Sequence, residues 1–220
     1  VLESKEKNFD IYVVDNASSD GSAEALKKAY GNRITVIENK ENLGGSGGFN
    51  TGLRIVRDKG YSYFMCLDDD AAVDENALSV LYHYMEEHTD TGMAGCRVYH
   101  TQMPDYIQQS GLLIDFDNCT AKTIGADMPE DGSLPDVIEC DTVATCAVMV
   151  RADTVKQKGV GIMPEDNFIY WDDMEWGYRI KLAGYRVVTL AEAKALHQMG
   201  ANAKKENTFI NYYMWRNRTN

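Results

Sequence analysis

The segment Tyr61–Asp70 (Y-S-Y-F-M-C-L-D-D-D) runs apolar and then stops on three consecutive carboxylates, Asp68, Asp69 and Asp70. Adjacent carboxylates repel one another, and a divalent cation is the usual remedy. Oxygen ligands select Mg²⁺ or Mn²⁺ over softer metals. Such an ion, held by one or two carboxylates, usually completes its shell with phosphate oxygens and water, so the triplet points to a metal–diphosphate site. An acidic cap for a helix starting near Asp74 is the competing reading. A second acidic group lies far along the chain in Phe168–Arg186, where Trp171 precedes Asp172, Asp173 and Glu175 in the first turn of an expected helix. The helix dipole should keep these carboxylates ionised near neutral pH. An ionised, positioned carboxylate can take the proton of a hydroxyl nucleophile, although N-capping alone would also account for Asp172.

Two further segments have ligand-binding character. Val13–Ser22 (V-V-D-N-A-S-S-D-G-S) ends a strand on Asp15. Its carboxylate can accept hydrogen bonds from a base or a ribose hydroxyl, or can merely cap a turn together with Asn16. Asn42–Gly52 (N-L-G-G-S-G-G-F-N-T-G) opens with Asn42 and packs Gly44, Gly45, Gly47 and Gly48 ahead of a helix. Glycines there allow close backbone approach to a ligand beside a helix N-terminus. The segment matches neither G-x-G-x-x-G nor the lysine-bearing P-loop.

The elements that must position these residues alternate strand and helix, which signals an α/β fold with a mostly parallel sheet flanked by helices. Strands are expected over Asp10–Asp15, Arg33–Glu38 and Tyr63–Leu67. Helices are expected over Ala23–Tyr30, Phe49–Lys59 (after a glycine-rich loop, Gly44–Gly48) and Glu75–His88. The last carries Leu78, Leu81, Tyr82 and Met85 on one face. The first and second acidic segments then stand at strand and helix ends, where open α/β sheets bind ligands. Beyond them the pattern loosens. Gly92–Tyr99, Gly111–Phe116 and Thr142–Arg151 read as strands, Ala152–Lys158 as a short helix, Asp172–Ala183 as a strong helix and Tyr185–Leu190 as a strand. Glu206–Arg218 reads as a closing helix, Val1–Lys7 as the polar end of another, and Asp117–Pro135 as a mobile loop.

The length of 220 residues suits one domain with a proper core. A net charge of −12 argues against non-specific nucleic-acid binding, because phosphates would be repelled. No apolar stretch approaches the roughly 20 residues of a membrane span. The five cysteines (Cys66, Cys96, Cys119, Cys140 and Cys146) form no C-x-x-C pair and read as reduced, partly buried residues. The chain is expected to be a single domain over residues 1–220 that lacks a first strand and a C-terminal continuation.

Taken in order, V-V-D-N-A-S-S-D-G-S, N-L-G-G-S-G-G-F-N-T-G, L-D-D-D, W-D-D-M-E-W-G-Y-R and the closing Y-Y-M-W-R-N-R resemble a family 2 glycosyltransferase of the GT-A fold. The resemblance runs from Asp10 to Arg218 and is greatest to the galactofuranosyl- and rhamnosyl-transferase branch. It implies a Rossmann-like sheet with a small mixed β extension on the acceptor side. It also implies inverting transfer from a UDP- or dTDP-sugar to a glycan or lipid-linked acceptor, with Mn²⁺ or Mg²⁺ as cofactor. Asp15 would contact the base, with Asn16, Asn42, Gly44 and Gly45 lining the donor site. Asp68, Asp70 and His197 would hold the metal, and Asp69 would lie near the sugar or ribose. Asp173 would be the catalytic base, supported by Asp172 and Glu175, with Trp171 as a stacking wall and Arg216 with Asn217 facing the diphosphate. A cytoplasmic protein, peripheral at the inner face of a membrane and building cell-surface polysaccharide or a lipid-linked glycan, would follow.

Three rivals remain. A phosphatase of the haloacid dehalogenase type also places D-x-D after an apolar strand, but expects a threonine soon after, where Ala71 and Ala72 stand. A nucleotidyltransferase expects a basic glycine loop, and Asn42–Gly52 holds no lysine or arginine. A non-catalytic sugar-nucleotide-binding domain is the third.

Overall fold

The computed structural model describes residues 1–198 and 208–219. In chain order the elements are β1 (Tyr12–Asp15), α1 (Ser22–Tyr30), β2 (Thr35–Glu38), α2 (Gly44–Lys59), β3 (Tyr63–Leu67), β4 (Ala71–Val73), α3 (Ala77–Glu87) and β5 (Thr91–His100). There follow β6 (Met103–Gln109), β7 (Leu112–Asp115), β8 (Thr120–Thr123), β9 (Val137–Glu139), β10 (Ala147–Arg151), α4 (Asp172–Leu182), β11 (Arg186–His197) and α5 (Thr208–Arg218). The expected closing helix begins at Glu206; Glu206 and Asn207 lie outside the described residues.

The α/β architecture is the one the strand–helix alternation implies, with a mixed central sheet. Seven strands form it in the order β3-β10-β5-β11-β4, with β6 on β5 and β9 on β11. The pair β5–β11 is parallel and the other pairs of this sheet run antiparallel. β1 and β2 make a separate parallel pair, and β7 with β8 a small antiparallel hairpin.

Burial explains the apolar runs. Thr91 to Tyr99 of β5 are all buried, as befits a central strand covered on both faces. Because side chains alternate across a strand, the central strands feed two cores. Met93, Val148, Val150 and Val187 join Leu53 of α2 and Trp176 and Ile180 of α4 on one face. Ala94, Ala147, Met149 and Val188 join Leu81 and Met85 of α3 on the other. Helix α2 also covers the β1–β2 pair. A Cβ on Gly52 would stand 3.4 Å from Val14, while Phe49, Leu53 and Val56 pack with Phe64 of β3. One helix thus bridges both sheets.

Several local expectations are corrected. The glycines of Gly44–Gly48 are not a loop but the first turns of α2. Their smallness serves packing, since a Cβ on Gly44, whose φ is +75°, would fall 2.2 Å from the Phe168 carbonyl oxygen. Val1–Lys7 is turns, tied down by the Lys5 amide donating to the Glu75 carbonyl at 2.8 Å. Ala152–Lys158 contains only a 3₁₀ turn, Thr154–Lys156. The expected loop Asp117–Pro135 carries β8 and is pinned from below. The buried Arg97 guanidinium pairs with Glu130 at 3.0 Å, and Tyr99 donates to the same carboxylate at 2.7 Å. A buried arginine needs such partners.

Candidate active site

β3 stops at Leu67 and the chain turns at once, the Asp68 carbonyl accepting from the Ala71 amide at 3.2 Å. The turn leaves Asp69 and Asp70 exposed and Asp68 half-buried. Chain geometry then brings in the histidine. β11 pairs in parallel with β5, shifts register between Leu190 and Lys194, and resumes against β5 on one side while pairing with β4 on the other, with His197 opposite Ala71. His197 Nε2 consequently lies 3.1 Å from Asp70 Oδ1 and 3.9 Å from Asp68 Oδ2. One ligand atom from each of the three residues falls within 4.8 Å of the others.

Two carboxylates and an imidazole are a donor set that suits Mn²⁺, and Mg²⁺ with additional water. The electrostatics agree. Burial raises the Asp68 carboxyl to about 6 against the opposing pull of His197, with Asp70, Asp69 and Asp172 repelling it further. A cluster that resists its own ionisation in this way favours an added cation. These residues therefore fit a divalent metal.

The second acidic group stands at the N-terminus of α4. The chain enters this helix through Phe168, Tyr170 and Trp171, all at φ between 62° and 66°. Left-handed backbone costs a non-glycine residue about 1–2 kcal/mol, so something must hold the segment. Asn217 of α5, itself buried, does so: its Nδ2 shares its two hydrogens among the carbonyls of Asn167, Ile169 and Tyr170, each 2.8 Å away. Arg216 adds bonds to the carbonyls of Asp166 and Asn167 and lies over the Tyr213 ring. Its guanidinium is thus engaged with the protein backbone.

Beyond the strained entry, Asp172 is buried and accepts from Ser46 Oγ at 2.9 Å. Asp173 Oδ1 accepts from the Met174 amide at 2.8 Å. The helix dipole alone does not keep Asp173 fully ionised near neutral pH. Burial and then repulsion by Asp172 push the Asp173 carboxyl up to about 7, with Asp68 contributing. Burial likewise raises Asp172, opposed by the Ser46 hydrogen bond. The influence of Asp68 on Asp173 and of Asp172 on Asp68 places the two acidic groups in one electrostatic neighbourhood.

The remaining expected residues are tied to this centre through α2. Asn16 Nδ2 donates to the Gly44 carbonyl at 2.9 Å and to Asn42 Oδ1 at 3.0 Å, and Asn42 Oδ1 also accepts the Gly44 amide. Two residues on, Ser46 reaches Asp172, and the place a Gly45 Cβ would take is 3.9 Å from the same carboxylate. Asp15, nearly buried, accepts from the Ser18 amide at 3.1 Å. Glu175 accepts from Asn167 Nδ2 at 3.1 Å and pairs with Arg179. The Trp171 indole N–H is buried with no partner among the described residues. Ser46 was missed in the sequence, where it reads as filler between glycines; no local signal marks it.

Several known proteins resemble the chain as a whole. The family model "Glycosyl transferase family 2" matches residues 1–149. The galactofuranosyltransferase GlfT2 of Mycolicibacterium smegmatis is 23% identical over 214 residues, covering 90% of this chain and 32% of its own length. The poly-beta-1,6-N-acetyl-D-glucosamine synthase of Staphylococcus aureus is 33% identical over 78 residues, covering 35% of this chain and 18% of the synthase. The chain thus spans about a third or less of the curated relatives it matches. Among solved structures, GalNAc-T7 with UDP, GalNAc and Mn²⁺ superposes with a TM-score of 0.71 at 12% identity, over 96% of this chain and 40% of that one. S. aureus TarS 1–349 gives 0.62 at 14% identity, over 89% and 53%. These likenesses are of fold. With the family match spanning most of the sequence, the chain belongs to glycosyl transferase family 2.

Proposed function

We propose that the chain forms the catalytic domain of an inverting, metal-dependent glycosyltransferase. It would move a sugar from a nucleoside-diphosphate donor to a hydroxyl of a glycan or lipid-linked acceptor. The observation that carries this reading is the meeting of Asp68, Asp70 and His197 beside a helix start bearing Asp172 and Asp173. A divalent cation held by the first three would supply Lewis-acid stabilisation of charge on the departing diphosphate.

The chain's own residues do the rest. Asp173 takes the proton of the acceptor hydroxyl as that oxygen attacks the anomeric carbon. A carboxyl raised to about 7 is basic enough to accept a proton and still ionised in good part at neutral pH. Ser46 and Asp172 fix the start of α4 against α2, holding Asp173 in register with the donor side. One base and one displacement invert the anomeric centre. Asp15, Asn16 and Asn42 gather at the β1 end, where a nucleoside would be read, and Trp171 offers an apolar wall to a sugar ring. Arg216 and Asn217 serve by bracing the entry to α4. Likeness to a galactofuranosyltransferase favours UDP-galactofuranose as the first donor to try, with dTDP-rhamnose next. No helix among the described residues is long and apolar enough to cross a membrane.

The test is calorimetric titration of the full-length protein with UDP and dTDP, each with Mn²⁺ and with EDTA. Binding that requires Mn²⁺ supports the donor site, and the preferred base narrows the sugar. Absence of binding under all four conditions refutes the reading.

A further inference from the structure

We propose that Gln108 is the positioning residue that turns His197 into a metal ligand, by keeping the imidazole proton on Nδ1 and leaving Nε2 to face Asp68 and Asp70. This rests on the reading that Asp68, Asp70 and His197 hold a divalent cation.

β6 pairs with β5 antiparallel, with Val98 opposite Gln109 and Tyr99 opposite Ile107. Gln108 therefore has no partner across the ladder and is the extra residue of a β-bulge. Bulges re-aim a side chain that a regular strand would send elsewhere, and they recur beside active sites. Here the freed side chain grips His197 at two points. Gln108 Nε2 donates to the His197 carbonyl at 3.2 Å, and Gln108 Oε1 lies 2.6 Å from His197 Nδ1.

The two contacts fix each other's chemistry. A backbone carbonyl can only accept, so the amide nitrogen must be the atom that faces it. The amide oxygen is then the atom beside Nδ1, and because that oxygen can only accept, Nδ1 must carry hydrogen. This holds whether the ring is neutral or charged. The one proton the ring can give up is therefore the one on Nε2, the nitrogen 3.1 Å from Asp70. Ligating histidines are commonly held in this manner by an acceptor on the far nitrogen, and loss of such a partner typically costs 10–100-fold in metal affinity. Neither Gln108 nor its neighbours carries a sequence signal for this role; the bulge creates it.

The experiment uses the full chain and Mn²⁺ alone. Mn²⁺ affinity is measured by calorimetry for the wild type, Gln108→Leu, Gln108→Glu and His197→Ala. In parallel, ¹⁵N-histidine spectra of the metal-free protein are recorded about two pH units above the usual imidazole range, with His197 assigned by its loss in His197→Ala. The expected wild-type spectrum shows His197 as the Nδ1–H tautomer. Gln108→Leu is expected to bind Mn²⁺ about 10–100-fold more weakly and to move the ring to Nε2–H. Gln108→Glu, which restores an acceptor, is expected to recover most of the affinity. An Nε2–H tautomer in the wild type overturns the proposal even if neither Gln108 variant folds. So does unchanged affinity in Gln108→Leu, or equal weakening in Gln108→Leu and Gln108→Glu, which would mark a packing role. If His197→Ala binds Mn²⁺ as tightly as the wild type, the metal-site reading itself has failed.

Discussion

Asp173 is asked to be both sheltered and basic, and its surroundings supply the two together. Its folded-state value of about 7 lies above that of an unfolded aspartate, so the folded protein holds this proton more tightly than the unfolded chain does. The stability it contributes is complete below about pH 4 and is lost as the pH rises through 7. In the metal-free protein Asp173→Asn should accordingly raise the thermal midpoint at pH 8, and the gain should vanish toward pH 4; a constant gain across that range would contradict the assignment. The same substitution should lower transfer by at least about 10²–10⁴-fold while nucleotide binding by calorimetry stays largely intact. Loss of both together would sink the base role. Asp70→Ala should weaken diphosphate binding only when Mn²⁺ or Mg²⁺ is present, and equal weakening in EDTA would refute its part in holding metal. At this scale the sequence was informative: Asp68, Asp70, Asp172 and Asp173 announced themselves by clustering at expected element ends. Their ionisation did not, because desolvation depends on what folds over a residue, as the raised Asp173 shows against the helix-dipole expectation.

The elements explain what the residues could not announce. The strand expected to stop at Leu190 continues to His197 after a register shift, and that continuation brings a distant histidine beside Asp70. No local pattern distinguishes Ala191–Leu196 from the end of an ordinary strand, since its pairing is set by β5 on one side and by β4, a three-residue strand too short to read, on the other. The glycines of α2 illustrate the opposite error. Four in close succession suggest a loop by propensity, yet they open a helix, where Gly44 abuts Phe168 and Gly47 abuts Leu43 too closely for a side chain. The α5 clamp belongs here too. Asn217→Ala strips a donor from three carbonyls of a strained segment and should cost about 1–3 kcal/mol, read as a lowered denaturation midpoint. It should also reduce turnover more than donor affinity, because the released segment leads directly into Asp173. Lost donor binding with undiminished turnover would argue that Asn217 faces the donor instead.

Across the whole molecule the α/β order was legible from the alternation of apolar strands and amphipathic helices, whereas the sense of each pairing was not. Alternation fixes which face a residue takes, not which neighbour its strand finds, and β10 and β6 run back against β5 through contacts far apart in sequence. The separation of β1 and β2 from the seven-stranded sheet has a further consequence. A two-stranded sheet is marginal by itself, and β1 and β2 are only partly buried, while β5 is enclosed on both faces. Their amides should therefore exchange with deuterium orders of magnitude faster than those of β5 and β11, as one small cooperative unit hinged on α2. Asp15 and Asn16 ride on that unit. A nucleotide gripped there would slow the exchange of β1 and β2 while leaving β5 unchanged, so that donor capture would be visible as the stiffening of a loosely held pair of strands.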